Sequence, residues 1–288
     1  MSTRTILVGY DTSAGARAAA KWALDQAART GSTVEFLYAY HWPTWAPATA
    51  TVPAPAVWPD GETDRAVHGM LNELVANART THPDVRTRTS IVYASAALTL
   101  IERSAEAGLI VVGSRGSSGV AGLLGSVSVA VSAQAHCPVV VAHADTRVAG
   151  PVVVGVDESA SSHAALMFAV DQAVARGTGL RVIRAWPPVT GLWEDPELYP
   201  RVVPADEREP FEELIAGLRE KNPGLDIAAE AVLDHPAAVL SKASRNAQLV
   251  VVGTRGRGPV TGILLGSVSQ HVLRHTACSV AVVHEGDI

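Results

Sequence analysis

ILVGYDTSAGARAAAKWALDQAARTG (6–31) returns as VVVGVDESASSHAALMFAVDQAVARG (152–177). Gly9 aligns with Gly155, Asp11 with Asp157, Ser13 with Ser159, and Asp25-Gln26-Ala27 with Asp171-Gln172-Ala173. Each copy opens with a short continuous apolar run and continues into apolar residues at helical spacing, such as Leu166, Val170, Ala173 and Val174. Later stretches also repeat. LIVVGSRG (109–116) aligns with LVVVGTRG (249–256), LLGSVS (123–128) with LLGSVS (264–269), and Cys137 with Cys278. A unit of about 140 residues is too long for a solenoid repeat and reads as a duplicated domain. The polar stretch ADTRVAGP (144–151) marks the junction, so the expected domains are 1–145 and 150–288.

Strand signals in the first half fall at 6–10, 34–40, 88–93, 109–113 and 139–142, with helical stretches near 14–30, 62–80, 96–107 and 126–135. The second half places its strands at 152–156, 180–186, 228–233, 249–253 and 280–283. Runs such as VVVGV and LVVVG suit strands covered on both faces, as in parallel sheets flanked by helices. The expected fold class is α/β, with two tandem doubly wound five-stranded parallel-sheet domains. Two long Pro-rich stretches interrupt the pattern: 41–61, with Trp42, Trp45 and Trp58, and 187–206. Connections of that length serve as lids or partner contacts, or are pinned to their domain by the tryptophans.

Composition narrows the function. The chain has 288 residues, 48% hydrophobic and 18% charged, with a formal net charge of -5. That excludes a mostly disordered chain and argues against nucleic acid as a partner, because phosphate-backbone binding relies on a basic surface. Two cysteines make no disulfide framework and have no metal-ligand spacing. The opening MSTRTILVGYD lacks a signal-peptide stretch, and no apolar run reaches the ~18 residues of a membrane span. A cytoplasmic protein with no membrane contact is expected.

Ligands of open α/β sheets bind beyond the carboxyl ends of the strands. Asp11 and Asp157 close the first strand of each half. Gly113-Ser114-Arg115-Gly116 and Gly253-Thr254-Arg255-Gly256 close the fourth. A glycine-rich loop follows, then Gly125-Ser126-Val127-Ser128 or Gly266-Ser267-Val268-Ser269 opens a helix. Glycines let backbone approach a phosphate, and the unpaired N–H groups at a helix start attract anions. The hydroxyls of Ser267 and Ser269 are expected to add donors, and Arg255 and Arg257 to neutralise a polyphosphate. The alternative is that the glycines end strands and the serines cap helices with no ligand present. Neither a Walker A lysine nor a first-strand Rossmann fingerprint is present, so the phosphate site belongs to the fourth strand.

These residues resemble the universal stress protein family, whose nucleotide-binding members carry Gly-x2-Gly-x9-Gly-Ser/Thr after the fourth strand and an Asp closing the first. Gly253, Gly256 and, after nine residues, Gly266-Ser267 match in full, and the likeness extends over both halves. The resemblance is to the tandem type of actinobacteria and to the wider adenine nucleotide alpha hydrolase-like group. It implies ATP in each half, with Mg²⁺ bridging its phosphates. Gly155, Asp157, Ala185, Trp186 and the second glycine loop would line one site. Gly9, Asp11 and the first glycine loop would line the other. It also implies an intramolecular pseudo-dimer joined at the fifth strands, with a homodimer of whole chains as a further step. The first half departs from the pattern. SSGVAGLL between Gly116 and Gly125 has eight residues, Ala16 replaces Ser162, and Ser117 replaces Arg257. A weaker first site is expected.

No nucleophile–base–orienter set stands out, there is no G-x-S-x-G elbow, and no water-activating residue adjoins the loop, so an efficient enzyme is not expected. A slow ATPase or nucleotidyl-transfer enzyme, and an interaction module with vestigial sites, are the alternatives. His271 and His275 share a helix face at metal-ligand spacing, although surface or cap roles suit them as well. Cys137 and Cys278 read as buried packing.

Overall fold

Duplication followed by fusion is visible in the sheet. The computed structural model describes residues 5–40, 61–116, 124–144, 149–187, 203, 205–256 and 265–286. The Trp-bearing and Pro-rich stretches of the sequence fall largely outside these residues, as does Arg257. The first half runs β1 (Thr5–Gly9), α1 (Ala14–Thr30), β2 (Thr33–Ala39), α2 (Gly61–Thr81), β3 (Thr87–Val92), α3 (Ala96–Arg103), β4 (Leu109–Gly113), α4 (Ser126–Gln134) and β5 (Val139–Ala142). The second runs β6 (Val152–Gly155), α5 (Ala160–Arg176), β7 (Leu180–Trp186), α6 (Ala205–Lys221), β8 (Ile227–Leu233), α7 (Pro236–Ala243), β9 (Leu249–Gly253), α8 (Ser267–His275) and β10 (Ser279–Val283).

Within each half all strands are parallel, in the orders β3-β2-β1-β4-β5 and β8-β7-β6-β9-β10. The two sets merge into one ten-stranded sheet because β10 pairs antiparallel with β5, Val280 opposite Val141 and Val282 opposite Val139. Both seam strands are buried along their full length. Helices α1, α2, α5 and α6 cover one face, where Phe36, Leu166, Leu180 and Phe211 form a core with the sheet. Helices α3, α4, α7 and α8 cover the other, over Leu7, Leu100, Leu240 and Leu273. With helices on both faces, the continuous apolar runs of the strands are buried on both sides.

Most element limits fall within a residue of the sequence expectation, and two of the differences have a visible cause. Helix α3 stops at Arg103 instead of 107, where the Ser104 hydroxyl turns back to the Ile101 carbonyl (2.5 Å) and accepts the His136 N–H (2.8 Å). Strand β10 starts one residue early, at Ser279, which aligns with Leu249 in the β9 ladder. The matching position of the first half is Pro138, which has no N–H to give a ladder. No helix among the described residues is long and apolar enough to cross a membrane.

Candidate functional site

In each half the sheet reverses its order between β1 and β4, or between β6 and β9, which opens a crevice at the carboxyl ends of those strands. Four helix starts meet these crevices, and they are finished in two ways. Helices α1 and α5 are capped conventionally. The Ser13 hydroxyl accepts the Ala16 N–H (3.0 Å), and that of Ser159 accepts the Ser162 N–H (3.2 Å). Helices α4 and α8 instead start at Gly125 and Gly266, and among the described residues no side chain caps either first turn. Their leading N–H groups keep the partial positive charge of a helix start.

Backbone bonds hold these glycines where the loop returns. The Gly266 N–H donates to the Thr254 carbonyl (2.8 Å), and the Gly125 N–H donates to that of Ser114 (3.0 Å). The Ser269 hydroxyl donates to the Gly253 carbonyl (2.6 Å) and that of Ser128 to the Gly113 carbonyl (2.7 Å). This corrects one expectation, since the Ser269 proton ties α8 to the end of β9 and is not held out to a ligand. Thr254 also differs from expectation. It is buried, its N–H donates to the Val283 carbonyl (2.9 Å), and it is not part of the cavity wall. The anchors are the same in both halves, so the shorter first loop leaves the start of α4 in place.

The Asp of the first strand and the second glycine of the loop come together. A Cβ on Gly256 would lie 2.6 Å from Asp157 Oδ2, and one on Gly116 would lie 2.8 Å from Asp11 Oδ2. Asp157 Oδ1 accepts from the Ser159 N–H (2.9 Å) and hydroxyl (2.5 Å), which fixes the carboxylate beside the loop. Ser162 Oγ accepts the Asp157 N–H (2.8 Å) and donates to the Asp157 carbonyl (3.0 Å), clamping the turn between β6 and α5. The first half has Ala16 at that position. Its turn takes a different path, with Thr12 at φ 68° and its carbonyl bonded to Arg17.

In the second half these parts enclose a cavity of about 620 Å³. Every described residue proposed for that site lines it, from Gly155, Asp157 and Ala185 to the α8 start, with the exception of Thr254. Sequence reasoning missed Arg184, Pro236 and Leu240, which also form the wall. An arginine inside the otherwise apolar end of LRVIRAW was the available signal for the first. Trp186 also lines the cavity, and its indole N–H donates to Glu207 on α6 (2.9 Å). The aligned Tyr40 of the first half stacks on Tyr93 (4.9 Å, 5°), and both hydroxyls donate to Asp64 (3.3 and 3.1 Å). Desolvation and then the Asp64 charge push the Tyr40 phenol up to about 12, so it stays a neutral donor.

The remaining candidates resolve simply. His271 and His275 stack ring on ring at 4.1 Å, with His275 Nδ1 in hydrogen-bond contact with the His271 carbonyl (2.9 Å). No group of three or more His, Cys, Asp or Glu among the described residues is placed to hold a metal. Cys137 and Cys278 are both buried.

The Universal stress protein family model matches residues 2–143 and again residues 149–284. Universal stress protein Rv2005c of Mycobacterium tuberculosis is 34% identical to this chain, covering 97% of both sequences. Universal stress protein Rv2623 of the same organism is 35% identical over 99% of this chain and 97% of its own. A crystal structure of a universal stress protein from Archaeoglobus fulgidus has a similar fold, with a TM-score of 0.73 at 20% identity, over 99% of this chain and 100% of that one.

Proposed function

The chain belongs to the universal stress protein family, and on that premise we propose that it is a nucleotide-dependent regulator of the stress response with one ATP site in each of two domains, 1–145 and 150–288. The observation that carries this reading is the start of α8, where a helix with no capping side chain among the described residues opens into a cavity of about 620 Å³ beside Asp157. The amides of Ser267, Val268 and Ser269 and the backbone of Gly256 and Gly266 would receive the phosphates. The apolar wall of Ala185, Pro236 and Leu240 would take the base, and Asp157 would face the ribose. Mg²⁺ arriving with the nucleotide would offset the charge of its phosphates.

In this reading the protein signals by occupancy, not by turnover. The groups around Asp157 are spent on its own turn, and among the described residues none is aimed as a general base at the phosphate end. The antiparallel contact of β5 with β10 would make the two domains an intramolecular pseudo-dimer, which mimics a two-fold homodimer within one chain. Protein purified from cells, once denatured, should release adenine nucleotide, and calorimetry with Mg-ATP should give saturable heat. Absence of both at millimolar ATP defeats the proposal.

A further inference from the structure

Beyond the backbone anchors that the halves share, the second glycine loop has two side-chain ties of its own. Ser161 is buried in the first turn of α5, and its hydroxyl donates to the Arg255 carbonyl at 2.5 Å. The Ser159 hydroxyl lies 3.2 Å from the same oxygen, but its one proton goes to Asp157 at 2.5 Å, so Ser161 is the donor that holds this carbonyl. At the other end of the loop, Gln270 Nε2 donates to the Leu265 carbonyl at 2.8 Å. The Gly266 N–H is held by the Thr254 carbonyl, so the Leu265–Gly266 peptide is fixed through both of its polar groups at the entry to α8.

A trans peptide points its C=O and its N–H in opposite directions. With the Arg255 carbonyl drawn to α5 on one face of the sheet, the Gly256 N–H is turned toward α8 on the other. A Cβ on Gly266 would lie 3.6 Å from that nitrogen, which sets it beside the uncapped helix start. Among the described residues no acceptor meets this N–H. The loop therefore adds one aimed donor to the α8 amides, and both of its ends are set in advance of a ligand. The first half lacks both ties. Gly15 aligns with Ser161, and a Cβ there would lie 2.4 Å from the Arg115 carbonyl oxygen, so α1 closes on the loop with no room for a hydroxyl. That carbonyl has the Ser13 hydroxyl instead, at 3.2 Å. Val129, which aligns with Gln270, has no donor to offer the Leu124 carbonyl.

We propose that Ser161 and Gln270 are positioning residues that preorganise the second loop for a phosphate chain, so that ATP affinity at this site depends on them through the phosphates and not through the base. This rests on the nucleotide reading of the same cavity. The test is calorimetric titration of the full chain with Mg-ATP, in a background where Gly125→Asp blocks the first loop, with adenosine measured by its competition in the same titrations. Ser161→Gly and Gln270→Val each install the first half's residue. Each should lower the affinity for Mg-ATP about threefold to tenfold, the worth of one lost hydrogen bond, and leave that for adenosine within about twofold. Gln270→Val carries the test alone if the glycine variant does not fold. Equal losses for Mg-ATP and adenosine, or an unchanged Mg-ATP affinity, overturn the positioning role and leave the nucleotide reading standing. A chain with both residues intact that binds no Mg-ATP overturns the nucleotide reading and the positioning role together.

Discussion

Gly266→Asp should stabilise the protein and abolish its second nucleotide site. Gly266 has φ -59° and ψ 153°, a conformation open to any residue. A Cβ there meets the Thr254 carbonyl at 3.4 Å, Arg255 Cα at 3.5 Å and Gly256 N at 3.6 Å, all ordinary contacts. The aspartate would cap the start of α8, for a gain of a few tenths of a kcal/mol over glycine. Its charge at the helix start adds about 0.3–1 kcal/mol. The sum, ~1 kcal/mol, raises the melting midpoint by about 1–3 °C for a chain of this size. The same carboxylate takes the amides a phosphate needs and sets like charges ~4 Å apart, which costs about 1–4 kcal/mol between bulk water and a protein surface. Affinity should therefore fall from about fivefold to several hundredfold or more. Scanning calorimetry without ligand reads the first effect, and titration with ATP reads the second as the loss of one site per chain. A folding defect would lower stability and binding together, so opposite signs isolate the mechanism. An aspartate variant that binds ATP with full stoichiometry and unchanged affinity refutes the assignment of phosphate to α8.

Three further perturbations follow from particular residues. Thr12 is a β-branched residue held at φ 68°; left-handed backbone costs an L-residue about 1–2 kcal/mol, part of which glycine returns as unfolded-state entropy. Thr12→Gly should raise the urea midpoint by the equivalent of ~0.5–1 kcal/mol, and a fall would mean that its side chain is held by contacts stronger than the strain. Burial is the largest single influence on Glu35 and raises its pKa, but hydrogen bonds from Ser90 and Arg103 and the charges of Arg103 and Arg88 together outweigh it and hold the carboxyl below its usual value. A depressed pKa gives stability that is present above the unfolded carboxylate range, near ~4.3, and lost as pH falls through the lower folded value. Glu35→Gln should accordingly cost about 1–3 kcal/mol at pH 7, and denaturant titrations of the two proteins should converge in acid; a constant difference across that range would mean the ionised form is not what matters. Burial pushes the Cys278 thiol up to about 12 despite the backbone bond from Val250, so neither it nor the buried Cys137 should react with a thiol reagent at pH 8 until the chain is unfolded.

The fold was legible where one local signal sufficed. Leu109–Gly113 and Leu180–Trp186 sit where their apolar runs placed them, and Ser13 and Ser159 mark the starts of α1 and α5. Boundaries failed where the deciding contact is remote, as at Ser104, whose hydroxyl serves a backbone N–H beyond the next strand. For the cavity, the glycine spacing and Asp157 were readable because they lie at the ends of two adjacent strands, β6 and β9. Arg184 and Leu240 were not, because strand order alone brings β7 and α7 to the same crevice. The hydroxyl of Ser269 was misread because helical spacing does not tell which side chain turns back to the preceding strand.

The antiparallel seam lets the two crevices change independently of each other. Strands are parallel within each half and antiparallel across β5 and β10. The carboxyl ends of the two sets therefore point to opposite edges of the sheet, and each crevice is built from the strands of its own half. A change at one, such as Thr12 for Glu158, Ala16 for Ser162 or Tyr38 for Arg184, leaves the other untouched. At the seam, by contrast, each residue is packed against both halves. VVVA (139–142) and SVAVV (279–283) are buried along their length, between strands on both sides and helices on both faces. An added methylene or a lost one there strains or hollows both cores at once. Duplication on this plan leaves each crevice free to change without disturbing the other.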